Sequence, residues 1–375
     1  MKICVINDTT YRSCCPDYEH NLSFYGSEPY HCVIAKGLYD AGHEVHWFAP
    51  VGSQPIGTFH PLACYFGGFA ENENLDETTL EHLKIDYLTD FDFVLDFSAL
   101  ARNVEEVRNY YNFKNYGVFR NGYNGYSVPR LKLADRNYIV PSNQNKRIFE
   151  KHGFPNITTI YYGIPDFYCK QNGSGEPYQD MFQKNGLRWG FNDYYLYPHR
   201  PTSEKGSNDI LILAESFPNE TFVYMVSNNP VTQHKDALQE LKKIVIAKNL
   251  ANVKFVELPL NNKHHYYKRE LMRHAKAILS PFNPSIYLEG FGLANAEAVA
   301  CGTPIFVSDS ESSRELWIDE KDGLVIPYDD RLWGFKQAIK HYSSYNFDPI
   351  NKFSVQECIN NYELFIKNTM EKNES

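Results

Sequence analysis

Four charged residues in the second half of the chain have the types and spacing for chemistry. Glu289 and Glu297 flank a glycine turn in "EGFGLANAE", and Arg200 and Lys205 lie five positions apart in "YPHRPTSEKG". Gly290 and Gly292 permit a tight turn, and the helix that opens near Leu293 offers free N–H groups and a positive dipole end, which suit a phosphate. Side chains on a helix lean toward its start, so Glu297, one turn in, hangs beside that phosphate. A carboxylate there repels a phosphate unless its task is a hydroxyl, and Glu289 stands on the other side of the turn, where a sugar attached to the phosphates would lie. A well-started, well-stopped helix preceded by a loop acid would account for the same letters. Arg200 and Lys205 decide against that plainer reading: placed after the strand pattern "DYYLY", they face the turn across a sheet's carboxyl edge and can neutralise a departing diphosphate. The expected ligand is a sugar nucleotide.

These side chains need a scaffold whose strand ends converge, and the hydrophobic pattern supplies one. In the first half, "KICVIN", "HEVHWFAP", "FDFVLDFSA", "YGVFRN" and "NYIVPS" read as buried strands, with a helix "HCVIAKGLYDAG" after the first. Strand and helix alternate as in a parallel α/β sheet. A second series starts at "DYYLYPHRP" and runs through "TFVYMVSNN", "NVKFVELPL", "KAILSPF", "TPIFVS" and "GLVIPY", with helices between them. The fold class is therefore α/β with two Rossmann-like halves in tandem. Boundaries are expected at 1–168 for the first domain, 169–192 for a Gly-, Asn- and Gln-rich linker, 193–348 for the second domain and 349–375 for an amphipathic helix. Ligands of such open sheets lie beyond the carboxyl ends of the strands, where the opening residues stand.

A chain of 375 residues suits two ordinary domains. Hydrophobic content of 43 % and charged content of 22 % are those of a folded chain, with the polar tail "NTMEKNES" the only stretch that reads as disordered. The net charge of −9 argues against a general nucleic-acid binder. It is unevenly spread: residues 1–99 carry 15 acids against 4 Lys/Arg, whereas residues 100–160 carry 10 Lys/Arg against 4 acids. That basic stretch reads as solvated helix faces, or as a peripheral contact with anionic lipid or an anionic acceptor. Eight scattered cysteines without a CxxC pair fit a reducing compartment and no zinc site. With neither a signal-peptide h-region nor an apolar run of membrane length, the expected location is the cytoplasm.

The motifs together resemble the GT-B glycosyltransferases of family four, the glycosyl transferases group 1. "EGFGLANAE" followed by "EAVACGTPI" is similar to that family's paired-glutamate segment. Arg200, Lys205 and Gly206 match its Arg–Lys pair before a glycine, and "NYIVPSNQNKRIFEKHG" with "ITTIYYGIPDFY" matches the end of its first domain. The resemblance implies a GT-B fold with two sheets facing across a cleft and the C-terminal helix crossing back. It implies a retaining, nucleotide-sugar-dependent enzyme in which the leaving phosphate accepts the acceptor's proton on the same face. Residue by residue, Arg200 and Lys205 would hold the diphosphate, Glu297 the ribose and Glu289 a hydroxyl of the donor sugar. Amides of Phe291, Gly292 and Leu293, next to Gly290, would touch sugar and distal phosphate, and the base would lie near Asn228 and Leu258. In the first domain, Gly26 corresponds to the family's glycine loop, and Arg120 and Asn121 stand where the family often has a histidine.

The donor is expected to be a UDP- or GDP-sugar and the acceptor a glycan or lipid-linked sugar. No cofactor and no metal are expected, because two cations and a helix end supply the charge a metal would; "DFD" at Asp90–Asp92 reads as the edge of a strand. A GT-B epimerase or phosphorylase, or a non-catalytic sugar-nucleotide binder, are the alternatives. A dinucleotide oxidoreductase fails for want of GxGxxG after the first strand.

Overall fold

A computed structural model describes residues 1–7, 15–16, 28–62, 91–97, 115–119, 137–169, 179–188, 193–226, 232–259, 261 and 263–374. The chain divides into two compact units, Met1–Gly163 with Phe353–Ser375, and Ile164–Lys352. Each is built on an all-parallel sheet, whose central strands are buried and apolar, as strands lying between two layers are.

In the first unit the strands are β1 (Lys2–Ile6), β2 (Glu44–Pro50), β3 (Thr58–Leu62), β4 (Phe93–Asp96), β5 (Tyr116–Phe119), β6 (Asn137–Val140) and β7 (Ile157–Thr159). They lie in the order β3-β2-β1-β4-β5-β6-β7, so the order reverses between β1 and β4. Ile3, Cys4 and Val5 of β1 are fully buried. The helix Glu28–Asp40 packs against the C-terminal helix Val355–Glu374, where the side chain of Ile359 fills the space a Cβ would take at Gly37.

The second unit orders its strands β10-β9-β8-β11-β12-β13, from β8 (Tyr194–Tyr197), β9 (Thr221–Val226), β10 (Val253–Glu257), β11 (Ala277–Ser280), β12 (Ile305–Ser308) and β13 (Gly323–Ile326). Here the order reverses between β8 and β11. Two buried tyrosines serve this sheet as long apolar side chains with a satisfied end: the hydroxyl of Tyr194 donates to the carbonyl of Leu271 at 2.7 Å and that of Tyr224 to Ser207 at 2.6 Å.

Three expectations about organisation change. The unit boundary falls at Gly163, ahead of residue 168, because Phe167 and Tyr168 pack against the helix His264–Arg273 of the second unit: Arg269 lies 4.6 Å from the Phe167 ring and donates to its carbonyl. The span 169–192 carries the helix Gln179–Lys184, whose buried Phe182 meets His274 and Tyr194, so its described part is packed structure. The tail "NTMEKNES" continues the last helix to Glu374, held by buried Thr369 and by Asn373, which donates to Asn115 at 2.8 Å.

Candidate functional site

The reversal between β8 and β11 leaves a gap at the carboxyl edge of the second sheet, and the chain fills it from both strands. After β8 the loop turns on Tyr197, whose hydroxyl donates to the carbonyls of Arg200 at 2.8 Å and Lys205 at 3.2 Å. A single 3₁₀ turn, Ser203–Lys205, then delivers Lys205. Gly206 follows with φ 77°, and a Cβ there would meet the carbonyl oxygen of Pro281 at 2.0 Å. The two loops are thus pressed together at a position open only to glycine.

From the loop after β11 comes Glu289. Its Oε2 lies 2.5 Å from the Nζ of Lys205, and the Tyr287 ring lies 3.8 Å from the same ammonium. Burial works against the charge of Lys205, but the Glu289 carboxylate and the Tyr287 hydroxyl outweigh it, and the lysine pKa is raised. The Glu289 carbonyl accepts a hydrogen bond from Ser312 at 2.6 Å. Gly292, with φ 72°, is the N-cap of the helix Leu293–Ala300.

Glu297, one turn into that helix, is 1 % exposed. The Nζ of Lys268 reaches both of its oxygens, at 2.7 and 2.5 Å. The Tyr168 phenol is pushed well above its ordinary pKa by burial and by the nearby Glu297, and it hydrogen-bonds His265 at 2.8 Å. Lys268 belongs to the same cationic group as the loop residues. His199, beside Tyr197, has its pKa driven well down by burial and then by Lys205, Arg200 and Lys268. The imidazole is therefore neutral at physiological pH.

Buried polar atoms without a hydrogen-bond partner gather here: Nε2 of His199, Oγ1 of Thr202, Oδ1 of Asn295 and Oγ of Ser308. Such atoms are rare in folded proteins. Their gathering on the β8 loop, the start of the Leu293–Ala300 helix and the end of β12 marks a place that can take polar ligand groups.

The structure brings Lys205 into contact with Glu289 and holds Gly290, Phe291 and Gly292 buried behind them, with Leu293 half-buried. Arg200 is exposed at the loop tip. Leu258 is buried at the carboxyl end of β10, its N–H donating to Val226 at 2.9 Å. Asn228, Gly26, Arg120, Asn121 and Asp90 lie outside the described residues. Asp92 accepts from the Lys2 N–H at 2.7 Å, at the amino ends of the strands. Lys268 was not singled out from the sequence. Lys268 is one cation in the charged stretch "HHYYKRE", and nothing in its spacing points to Glu297.

The first unit has its own reversal, between β1 and β4. Asn7, directly after β1, accepts through its Oδ1 from Nδ1 of His31 at 2.9 Å. Phe97 stacks on the His31 ring at 4.7 Å, and burial lowers the histidine pKa to about 3. At the end of β4, Asp96 accepts the Tyr116 hydroxyl at 2.5 Å.

Comparison with known proteins follows this geometry. Residues 183–340 match the family model described as glycosyl transferases group 1. No curated protein is similar enough in sequence to match the chain. Solved structures match over nearly its whole length. Sucrose-phosphate synthase from Thermosynechococcus elongatus is similar at TM-score 0.68 and 17 % identity, over 100 % of this chain and 98 % of that one. Anabaena HepE, solved in complex with UDP and glucose, is similar at TM-score 0.70 and 14 % identity, over 98 % and 100 %. WaaG, a glycosyltransferase involved in lipopolysaccharide biosynthesis, is similar at TM-score 0.59 and 13 % identity, over 99 % and 98 %. Among the described residues no helix is long and apolar enough to cross a membrane.

Proposed function

We propose that this chain, whose residues 183–340 match the family model described as glycosyl transferases group 1 and whose fold is similar to that of sucrose-phosphate synthase, is a GT-B glycosyltransferase that moves a hexosyl unit from a nucleoside diphosphate sugar to a hydroxyl of a glycan or lipid-linked sugar. The donor is a UDP- or GDP-sugar, the anomeric configuration is retained and no metal is needed. The observation that carries this reading is the Lys205–Glu289 contact of 2.5 Å beside the Gly292-capped helix. One cation and one carboxylate from two loops meet where a phosphate and a sugar hydroxyl would meet. The HepE complex with UDP and glucose supports a uridine donor in particular.

In this reading Lys205, Arg200 and the N–H groups at the start of the Leu293–Ala300 helix take the diphosphate. Glu289 gives up part of its hold on Lys205 and accepts a hydroxyl of the sugar. Glu297, held by Lys268, accepts the ribose hydroxyls. The bond from the sugar's anomeric carbon to phosphate oxygen breaks and a bond to the acceptor oxygen forms on the same face. The acceptor's proton passes to the leaving phosphate. Charge then builds on the diphosphate, where the cations stabilise it most.

The test is thermal unfolding with UDP-, GDP-, ADP- and dTDP-sugars, in EDTA and then in magnesium. A ligand at about 100 times its Kd adds about 2.7 kcal/mol, a shift of several degrees for units of this size. One nucleotide raising Tm in EDTA is the expected result. No shift with any sugar nucleotide would overturn the donor reading, and a shift only with magnesium would overturn its metal independence.

A further inference from the structure

The first unit carries a pocket of about 550 Å³ between β7 and the C-terminal helix Val355–Glu374, within the roughly 300–1,000 Å³ of small-ligand sites. Its walls mix uncharged polar side chains with the apolar Ile157, Ile160, Leu364 and Phe365. Asn137, Asn156 and Thr158 line it from the sheet, and Asn361, Asn368 and Thr369 from the helix. The helix residues fall on one stripe, with apolar Leu364 between them 55 % exposed. At the rim Glu371 and Lys372 carry opposite charges.

β7 is the last strand of the described sheet. The Asn156 carbonyl accepts from Tyr138 and the Ile160 N–H donates to Val140, both across to β6. Successive residues of a strand turn their backbone groups to opposite sides, so Ile157 and Thr159 direct N–H and C=O away from β6. The pocket itself is bordered by carboxamides and hydroxyls, groups that donate and accept at short spacing.

We propose that this groove is a binding site for a neutral oligosaccharide, separate from the nucleotide-sugar site. A sugar hydroxyl donates and accepts at once, as a carboxamide does, and Leu364 offers an apolar surface for the C–H face of a ring. The near absence of net charge disfavours a phosphorylated ligand. A peptide adding a strand to β7 would find only Ile157 and Thr159 to pair with on a strand of three residues, and its side chains would compete with Asn361 and Asn368 for the space. The inference rests on the glycosyltransferase reading for its biological sense: a groove that holds a distant part of a glycan keeps the acceptor chain near the enzyme between transfers.

The experiment is saturation-transfer NMR and titration calorimetry on the full chain saturated with UDP, using maltotriose, cellotriose, chitotriose and a rhamnose-containing trisaccharide. At least one is expected to bind. Its affinity is expected to fall by about tenfold or more in Asn361→Leu/Asn368→Leu, two exposed helix positions, with UDP affinity and Tm unchanged. Thr158→Arg, from the opposite wall, is expected to do the same and serves if the double variant does not fold. Binding unmoved by either variant would assign the glycan elsewhere and overturn the groove, as would failure of every trisaccharide to bind. Groove-dependent binding of the peptide acetyl-Thr-Val-Thr-Val-Thr-amide in place of the sugars would also overturn it. UDP binding is read in the same samples, so its loss would sink the donor reading while the trisaccharide titrations, repeated without nucleotide, still judge the groove.

Discussion

Lys205 and Glu289 hold each other in a pocket where both side chains are largely covered, at 8 % and 15 % exposure. Removing one partner of such a pair leaves a buried charge alone, a loss of about 3–5 kcal/mol in fully buried cases. Lys205→Met is therefore expected to lower Tm, and Lys205→Met/Glu289→Gln to recover much of the loss, as differential scanning calorimetry would show. Turnover is expected to stay down by roughly 10²–10³ in both variants, because the lost ammonium acts on the leaving diphosphate. Equal activity of the double variant and the parent would remove Lys205 from the chemistry. Lys268 makes a different prediction. Its contact is with Glu297, which in this reading binds ribose in ground state and transition state alike, so Lys268→Met is expected to raise KM for the donor several-fold with kcat little changed. Steady-state kinetics with varied donor separates the two lysines.

At the scale of elements, the site depends on two loops being pressed together at Gly206. Gly206→Ala is expected to destabilise the chain by more than 1 kcal/mol, because φ is positive and the Pro281 carbonyl occupies the place of the new Cβ. Urea unfolding with and without a UDP-sugar would read both stability and the loss of the ligand shift; an unchanged midpoint would count against the tight loop contact. Much of this architecture was legible in the sequence. The strand patterns gave two parallel sheets because strands buried on both faces must be apolar throughout, and "GFGLANAE" announced its helix start through Gly292. What could not be read was long-range pairing. Lys268 reaches Glu297 from a separate helix, and no local spacing records that contact. The packed helix Gln179–Lys184 was hidden in the same way, since only its Phe182 against His274 distinguishes it from a polar linker. The same holds for Ser312, which supports the backbone of Glu289 through a hydrogen bond of 2.6 Å that no local spacing records.

For the whole molecule, buried imidazoles set the response to acid. Burial lowers His31 and His264 to about 3, whereas in the unfolded chain both protonate near 6.5. Their folded pKa values are depressed, so between 6.5 and 3 the unfolded state binds protons that the folded state refuses. Stability is held above pH 6.5 and falls as pH drops, by about 1.4 kcal/mol per pH unit for each imidazole. Denaturant midpoints at pH 7.5, 6 and 5 are expected to decline, and less steeply in His31→Gln than in the parent; parallel slopes would show that His31 is not a source. The division of the chain has a further consequence for its birth on the ribosome. The second unit is one continuous segment, whereas the first needs Phe353–Ser375 to cover the helix Glu28–Asp40. At roughly 5–20 residues per second, the helix Glu28–Asp40 waits on the order of ten seconds or more for its partner helix while the second unit is made. Within this pair of units, the one whose strands are made earlier is therefore the one completed later.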